Sequence, residues 1–312
     1  MTSKVLVTGG AGFLGSHLCE RLLERGNEVV CVDDLSTSDR SNVGHLEGNE
    51  GFQFHIRDVT KPLFMMRLDE IFHLACPASP VHYQRDPVRT IRTAVQGTMN
   101  VLDLARSTDA RVTIASTSEV YGDPLEHPQQ EGYWGNANPI GPRSCYDEGK
   151  RCAEALASSY AQQYGVDVRT ARIFNTYGPR MRIDDGRVIP SFVSCALRDE
   201  PLVVHGDGTQ TRSFCYVSDL IEGLLRLSSA KPPPGPVNLG NPCEVSIGFL
   251  AARVIDLTHS KSKMKTGALP IDDPRRRCPD IARARDLLAW QPEVALRDGL
   301  ERVIQWQRNE FC

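Results

Sequence analysis

Two residues four positions apart, Tyr146 and Lys150, are the best candidates in this sequence for proton transfer. On a helix, positions i and i+4 share a face, so a phenol and an ammonium project to the same side. The ammonium can lower the phenol's pKa and make a tyrosinate usable as a base near neutral pH. Alone, Y-x-x-x-K is commonplace on a solvated helix face. A second group stands upstream, where Ser116-Thr117-Ser118-Glu119 closes an apolar strand. Thr117 and Ser118 offer hydroxyls to a sugar oxygen, and Glu119 adds a carboxylate. Ligands of parallel sheets bind at that carboxyl edge.

The third group is Gly9-Gly10-Ala11-Gly12-Phe13-Leu14-Gly15, directly after a strand and opening a helix. Gly9, Gly12 and Gly15 keep a G-x-x-G-x-x-G spacing, which lets the backbone turn tightly and approach a pyrophosphate. The helix N-terminus then offers free N–H groups and partial positive charge. Asp33 ends the second strand about 20 residues on, where a carboxylate accepts from adenosine ribose hydroxyls and repels a 2′-phosphate. The expected cofactor is therefore NAD rather than NADP. Lys150 would also hold the nicotinamide ribose. Phe13, Leu14, Val59 and Ala75 are further expected cofactor contacts. Asp58 is a candidate adenine contact, with helix capping as its plainer role.

These groups need a scaffold that alternates strands and helices. Val5–Val7, Glu28–Asp33, Phe52–Ile56, Ile71–Ala75, Val112–Ala115 and Val166–Ile173 read as strands. Helices are expected at 13–26, about 84–107 and about 146–164, with a Pro-, Gly- and Asn-rich loop at 121–143. Strands joined by crossover helices pair in parallel, so the expected fold is α/β, a doubly wound parallel Rossmann sheet. Residues 1–174 form its NAD-binding part. Residues 175–312 are expected to supply a smaller substrate-binding lobe, with some segments interleaved, and Pro232-Pro233-Pro234 marks an exposed turn.

The 312 residues carry a net charge of −3, which gives no reason to expect nucleic acid or an anionic membrane as partner. Ten scattered cysteines contain no C-x-x-C pair, so no metal site is expected, and reduced thiols fit a reducing compartment. Met1-Thr2-Ser3-Lys4 runs straight into the first strand, and no apolar run approaches the ~20 residues of a membrane span. The expected location is cytoplasmic.

Taken together, these residues resemble the extended short-chain dehydrogenase/reductases that act on nucleotide sugars. The segments His73–Pro80, Ser116–Pro124, Asn138–Pro142, Tyr146–Arg151, Arg172–Met181, Asp185–Arg187, Gln210–Phe214 and Asp272–Ile281 narrow the resemblance to the UDP-glucuronate decarboxylase family. It covers the chain from Lys4 to about Trp306. The resemblance implies that Tyr146 takes the sugar 4-hydroxyl proton while the C4 hydride passes to NAD⁺. The 4-ketone then lies β to the C6 carboxylate, so CO₂ leaves, and protonation at C5 with return of the hydride gives UDP-xylose. It also implies a catalytic set of Thr117, Ser118, Glu119, Tyr146, Lys150 and Arg277. Arg277 would grip or orient the substrate carboxylate, and Asn175, Arg187 and Arg212 would bind the UDP-sugar. A homodimer through the helices near 84–107 and 146–164 is implied as well.

Chemistry separates this reading from near relatives. A dehydratase needs an acid beside the threonine, and Ser118 is a very poor one, whereas CO₂ departs without a proton. The 4-epimerases lack a carboxylate at the position of Glu119. Three residues depart from the family pattern: Ala94 for an asparagine, Cys76 for a serine and Cys278 for a lysine. Ala94 is expected to loosen cofactor geometry. Two other readings stand beside the first: an oxidative decarboxylase releasing NADH and a UDP-4-keto-pentose, and a non-catalytic scaffold binding RNA or a partner protein.

Overall fold

The computed structural model describes residues 2–311 apart from 66, 234, 270, 271 and 275. Cys312, Arg275 of the 272–281 segment and the Pro234 end of the triple-proline turn lie outside the described residues.

The inner apolar runs become strands covered on both faces, while Phe52–Ile56 lies at the sheet edge and is part exposed. Val5, Leu6, Val7, Val32, Ile71, Phe72 and Ile114 are fully buried, as uninterrupted Val- and Ile-rich strands of parallel sheets are. The strands are β1 (Lys4–Thr8), β2 (Glu28–Asp33), β3 (Phe52–Ile56), β4 (Glu70–His73), β5 (Arg111–Thr117) and β6 (Val168–Ile173). Shorter ones follow: β7 (Thr176–Tyr177), β8 (Leu202–His205), β9 (Thr211–Ser213), β10 (Cys215–Tyr216), β11 (Val237–Leu239), β12 (Glu244–Ser246), β13 (Met264–Gly267) and β14 (Arg276–Arg277).

The central sheet has the order β11-β6-β5-β4-β1-β2-β3, and every pairing in it is parallel. It is the doubly wound Rossmann sheet, with a seventh strand contributed from beyond residue 175. Strand order reverses between β1 and β4, which opens a crevice at the carboxyl ends. β12, β9 and β14 form a separate sheet in which Arg277 is in register with Arg212. That pairing brings two arginines, 65 positions apart in the chain, onto neighbouring strands.

The stretch expected as one helix at 84–107 is broken. It consists of helices Pro80–Arg85, Pro87–Arg92 and Thr98–Thr108, with a wide π turn at Thr93–Gly97. Pro87 cannot donate to a preceding turn, and Asp86 caps the new start by accepting from Arg89 N–H at 3.0 Å. The helix that carries Tyr146 and Lys150 runs Ser144–Tyr164. Gly149 packs so tightly on Ala94 that a Cβ there would come within 2.9 Å of the Ala94 Cβ. Ala94 is thus a spacer between helices, and an asparagine would need more room. It is not among the residues lining the crevice, which counters the expectation that it loosens the cofactor site.

Candidate active site

The crevice deepens into a cavity of about 580 Å³. Its lining joins Gly9, Gly12, Phe13, Leu14 and Gly15 from the first turn to Asp33, Val59 and Ala75. It continues through Thr117, Ser118, Glu119, Tyr146 and Lys150 to Asn175, Arg187, Arg212 and Arg277. Asp58 is the exception. Its Oδ1 accepts from Thr60 N–H at 2.8 Å within a turn that no helix follows, and Val59 alone of that pair lines the cavity.

The glycine positions match a dinucleotide. Gly9 has φ +72°, and a Cβ on it would meet Ala75 N at 2.8 Å; one on Gly15 would meet Gly9 O at 2.1 Å. Both positions therefore exclude side chains and keep backbone against the floor of the cavity. Asp33 is buried at the end of β2 and accepts from Ala11 N–H at 3.0 Å, Leu35 N–H at 2.9 Å and the Ser38 hydroxyl at 2.6 Å. Burial raises its pKa, and those three donors work against the rise. The bare loop, the oriented carboxylate and Lys150 fit the pyrophosphate, adenosine ribose and nicotinamide ribose of NAD.

Tyr146 is buried, and its ring stacks on Tyr83 with centroids 5.0 Å apart and planes at 1°. Burial pushes the phenol well up, Cys76 and Glu119 add to the rise, and the Thr117 hydroxyl and Arg187 pull it down. This differs from the sequence expectation, which gave the downward pull to Lys150. The Lys150 ammonium instead donates to Ala115 O at 2.7 Å and lies 5.9 Å from the Tyr146 ring centroid. A shared helix face sets side-chain direction, but the long lysine stem reaches past the phenol to the strand carbonyl. Below the pair, His73 is buried between the Thr8 and Thr98 hydroxyls at 2.8 and 3.2 Å. Burial and then the charge of Lys150 lower its pKa to about 3, so it is a neutral spacer.

Glu119 is clamped by two arginines. Arg277 meets both carboxylate oxygens, and Arg143 donates to Oε2 at 2.5 Å. Burial raises the pKa of Glu119, but the charges of Arg277 and Arg143 outweigh it and hold the carboxyl well below its usual range. Arg143 also reaches Asp273 at 3.3 Å, and Arg212 reaches it at 2.7 Å. Arg187 pairs with Asp185 at 2.7 Å. Three guanidiniums thus face two carboxylates around Glu119 and Asp273, leaving positive charge at this end of the cavity. Asp147 lies beside the cluster, pushed up by burial and by Glu119, and its Oδ1 has no hydrogen-bond partner.

Sequence reasoning missed Arg143, Asp147, Asp273 and Tyr83. Arg143 stands three residues before Tyr146, one turn below it, and that spacing was the available signal. Asp273 belongs to a segment that carried the resemblance, but nothing in its spacing announced Arg143 and Arg212 as partners.

A Rossmann sheet with this glycine loop, Asp33, and the Tyr146–Lys150 pair facing Thr117 defines an NAD-dependent enzyme of the extended short-chain dehydrogenase/reductase type. Comparisons with known proteins narrow it. Residues 5–240 match the NAD dependent epimerase/dehydratase family. The chain is 53% identical over 308 residues to UDP-glucuronic acid decarboxylase 1 of Arabidopsis thaliana, covering 99% of this chain and 70% of the relative. It is 54% identical to UDP-glucuronic acid decarboxylase 6 of the same plant, covering 95% and 86%. Among solved structures, UDP-glucuronic acid 4-epimerase from Bacillus cereus, in complex with UDP-glucuronic acid and NAD, superposes with a TM-score of 0.88. The identity is 28%, over 98% of this chain and 99% of that one. The chain belongs to the NAD dependent epimerase/dehydratase family and, within it, to the UDP-glucuronic acid decarboxylases.

Proposed function

We propose that this chain converts UDP-glucuronate to UDP-xylose and CO₂ by transient oxidation at C4, with NAD kept in the pocket throughout. One observation carries the reading: Arg277, paired with Glu119, lines the same cavity as Tyr146 and Asp33. The cavity therefore offers a proton-transfer group for an alcohol and a cation for a carboxylate beside a dinucleotide pocket. Residues 175–312 supply the substrate side through Asn175, Arg187, Arg212 and Arg277.

NAD, when bound, supplies a reversible hydride acceptor for C4 and a positive charge near the phenol. Tyr146 accepts the 4-hydroxyl proton, with the Thr117 hydroxyl fixing the same sugar oxygen. The 4-ketone is β to the C6 carboxylate, so the electron pair released with CO₂ delocalises onto the 4-oxygen. Tyr146 and Thr117 stabilise that oxygen where charge develops; C5 takes a proton from solvent once CO₂ has left, and Tyr146 returns its own proton to the 4-oxygen as the hydride comes back to C4. Glu119, held ionised, is a poor acid, and it also shares the charge of Arg277. A guanidinium already half neutralised orients the C6 carboxylate without binding it so tightly that decarboxylation is opposed.

Purified protein incubated with UDP-glucuronate and NAD⁺ is expected to release CO₂ and UDP-xylose with little net NADH absorbance. Stoichiometric NADH would select the oxidative decarboxylase, and absence of any reaction with NAD bound would overturn the reading.

The active unit we propose is a homodimer. Val88 and Ile91 on helix Pro87–Arg92 are 64% and 40% exposed, an apolar face beside helix Ser144–Tyr164. Sedimentation at micromolar concentration is expected to give about twice the 34.6 kDa chain mass; a single chain-sized species would contradict the dimer. A reducing compartment such as the cytoplasm fits the nine described cysteines, all free. Among the described residues no helix is long and apolar enough to cross a membrane.

A further inference from the structure

We propose that His127, Glu244 and Cys278 form a binding site for one zinc-like divalent cation, outside the active-site cavity. Three different ligand types converge there from distant parts of the chain. The imidazole, carboxylate and thiol atoms all lie within 4.8 Å of one another. His127 Nε2 is 2.9 Å from Glu244 Oε2. None of the three lines the cavity.

The site is built rather than accidental in its supports. The Thr211 hydroxyl donates to Glu244 Oε1 at 2.7 Å, which turns Oε2 toward His127. Outer hydrogen bonds of this kind orient metal ligands. Cys278 is held to the loop segment just after His127: its N–H donates to Gln129 Oε1 at 2.8 Å, and Gln129 N–H donates to Cys278 O at 2.9 Å. His127 and Cys278 are therefore anchored together by backbone, and β12 brings Glu244 from the other side.

The ligand set chooses the cation. A thiolate with an imidazole favours zinc and similar borderline-soft ions over magnesium or calcium, which take oxygen ligands. On binding, the Cys278 thiol gives up its proton to buffer and its sulfur forms a bond to the metal. His127 Nε2 gives up to buffer the proton it shares with Glu244 and binds as a neutral imidazole, Glu244 binds through its carboxylate, and water completes four-coordination. No oxidation state changes.

The position gives the cation a structural consequence. It would join the 121–143 loop, β12 and the residue that follows Arg277. Because β12 pairs with β9 and β9 with β14, the clamp would act on the two strands that carry Arg212 and Arg277. The cation is thus a brace for the arginine sheet, remote from the proton-transfer chemistry.

The test uses the full chain, reduced and freed of metal by a chelator. Titration with Zn²⁺ is expected to give one saturable site per chain. Titration with Co²⁺ is expected to give a thiolate-to-metal charge-transfer band with the intense visible absorption of tetrahedral cobalt. C278S should abolish the charge-transfer band, and C243S, which removes the exposed thiol next to Glu244, should leave it. His127 is exposed, so H127N keeps the fold, and it should weaken Zn²⁺ binding at least ~10-fold, as should E244Q. Absence of a saturable site, a band that survives C278S, or affinity unchanged in both H127N and E244Q would overturn the proposal.

Discussion

Tyr146→Phe lowers turnover of UDP-glucuronate by at least ~10²-fold, while the variant still folds and still holds NAD. The substitution removes one oxygen and leaves the ring that stacks on Tyr83 at 5.0 Å. Loss of the hydroxyl that faces Thr117 costs no more than about 1 kcal/mol of stability, so a thermal melt of the same preparation separates misfolding from lost chemistry. Near-normal turnover would refute the role of the phenol. A large loss with an unchanged melt assigns proton transfer to Tyr146, which the shared helix face alone could not do.

The second large effect concerns Arg277. Arg277→Gln leaves the buried carboxylate of Glu119 with Arg143 as its remaining clamp. Removing one member of a buried ion pair costs ~3–5 kcal/mol when the other is stranded, and Arg143 keeps the loss toward the lower end. Glu119→Gln added to that variant should recover most of the stability, because a neutral amide needs no counter-charge. Ligand binding separates the second role. UDP-glucuronate should bind at least ~10-fold more weakly to Arg277→Gln, whereas UDP-xylose, which has no carboxylate, should bind as before. If both ligands weaken equally, Arg277 serves only to hold Glu119, and its proposed contact with the substrate carboxylate is wrong.

Much of the scaffold was legible because parallel strands announce themselves. The runs Glu28–Asp33 and Phe52–Ile56 are strands with the bounds expected of them; Val29–Asp33 is buried without interruption, whereas the edge strand Phe52–Ile56 alternates half-buried Phe52 and Phe54 with exposed Gln53 and His55. The glycine loop was legible for a related reason: at Gly15 a side chain would collide with Gly9 O. Pro87 was in plain view, yet the long apolar period around it favoured one helix, and the cap by Asp86 shows why the chain restarts there.

The electrostatics were far less legible. Arg143, Glu119 and Arg277 meet across separations of 24 and 158 residues, and no periodicity reports such contacts. The same holds for His127, Glu244 and Cys278. Lys150 shows the limit of a correct motif. Its face was predictable, but its choice of the Ala115 carbonyl depends on how far β5 lies from the helix.

The most direct test of the closed redox cycle is isotopic. UDP-glucuronate carrying deuterium at C4 is turned over in D₂O, and the product is read by NMR and mass spectrometry. The expected product is UDP-xylose that retains the C4 deuterium, because C4 is oxidised and reduced within one closed pocket, and that gains one deuterium at C5 from protonation after CO₂ leaves. UDP-xylose with hydrogen at C4, or a decarboxylated product left as the 4-ketone, would contradict it.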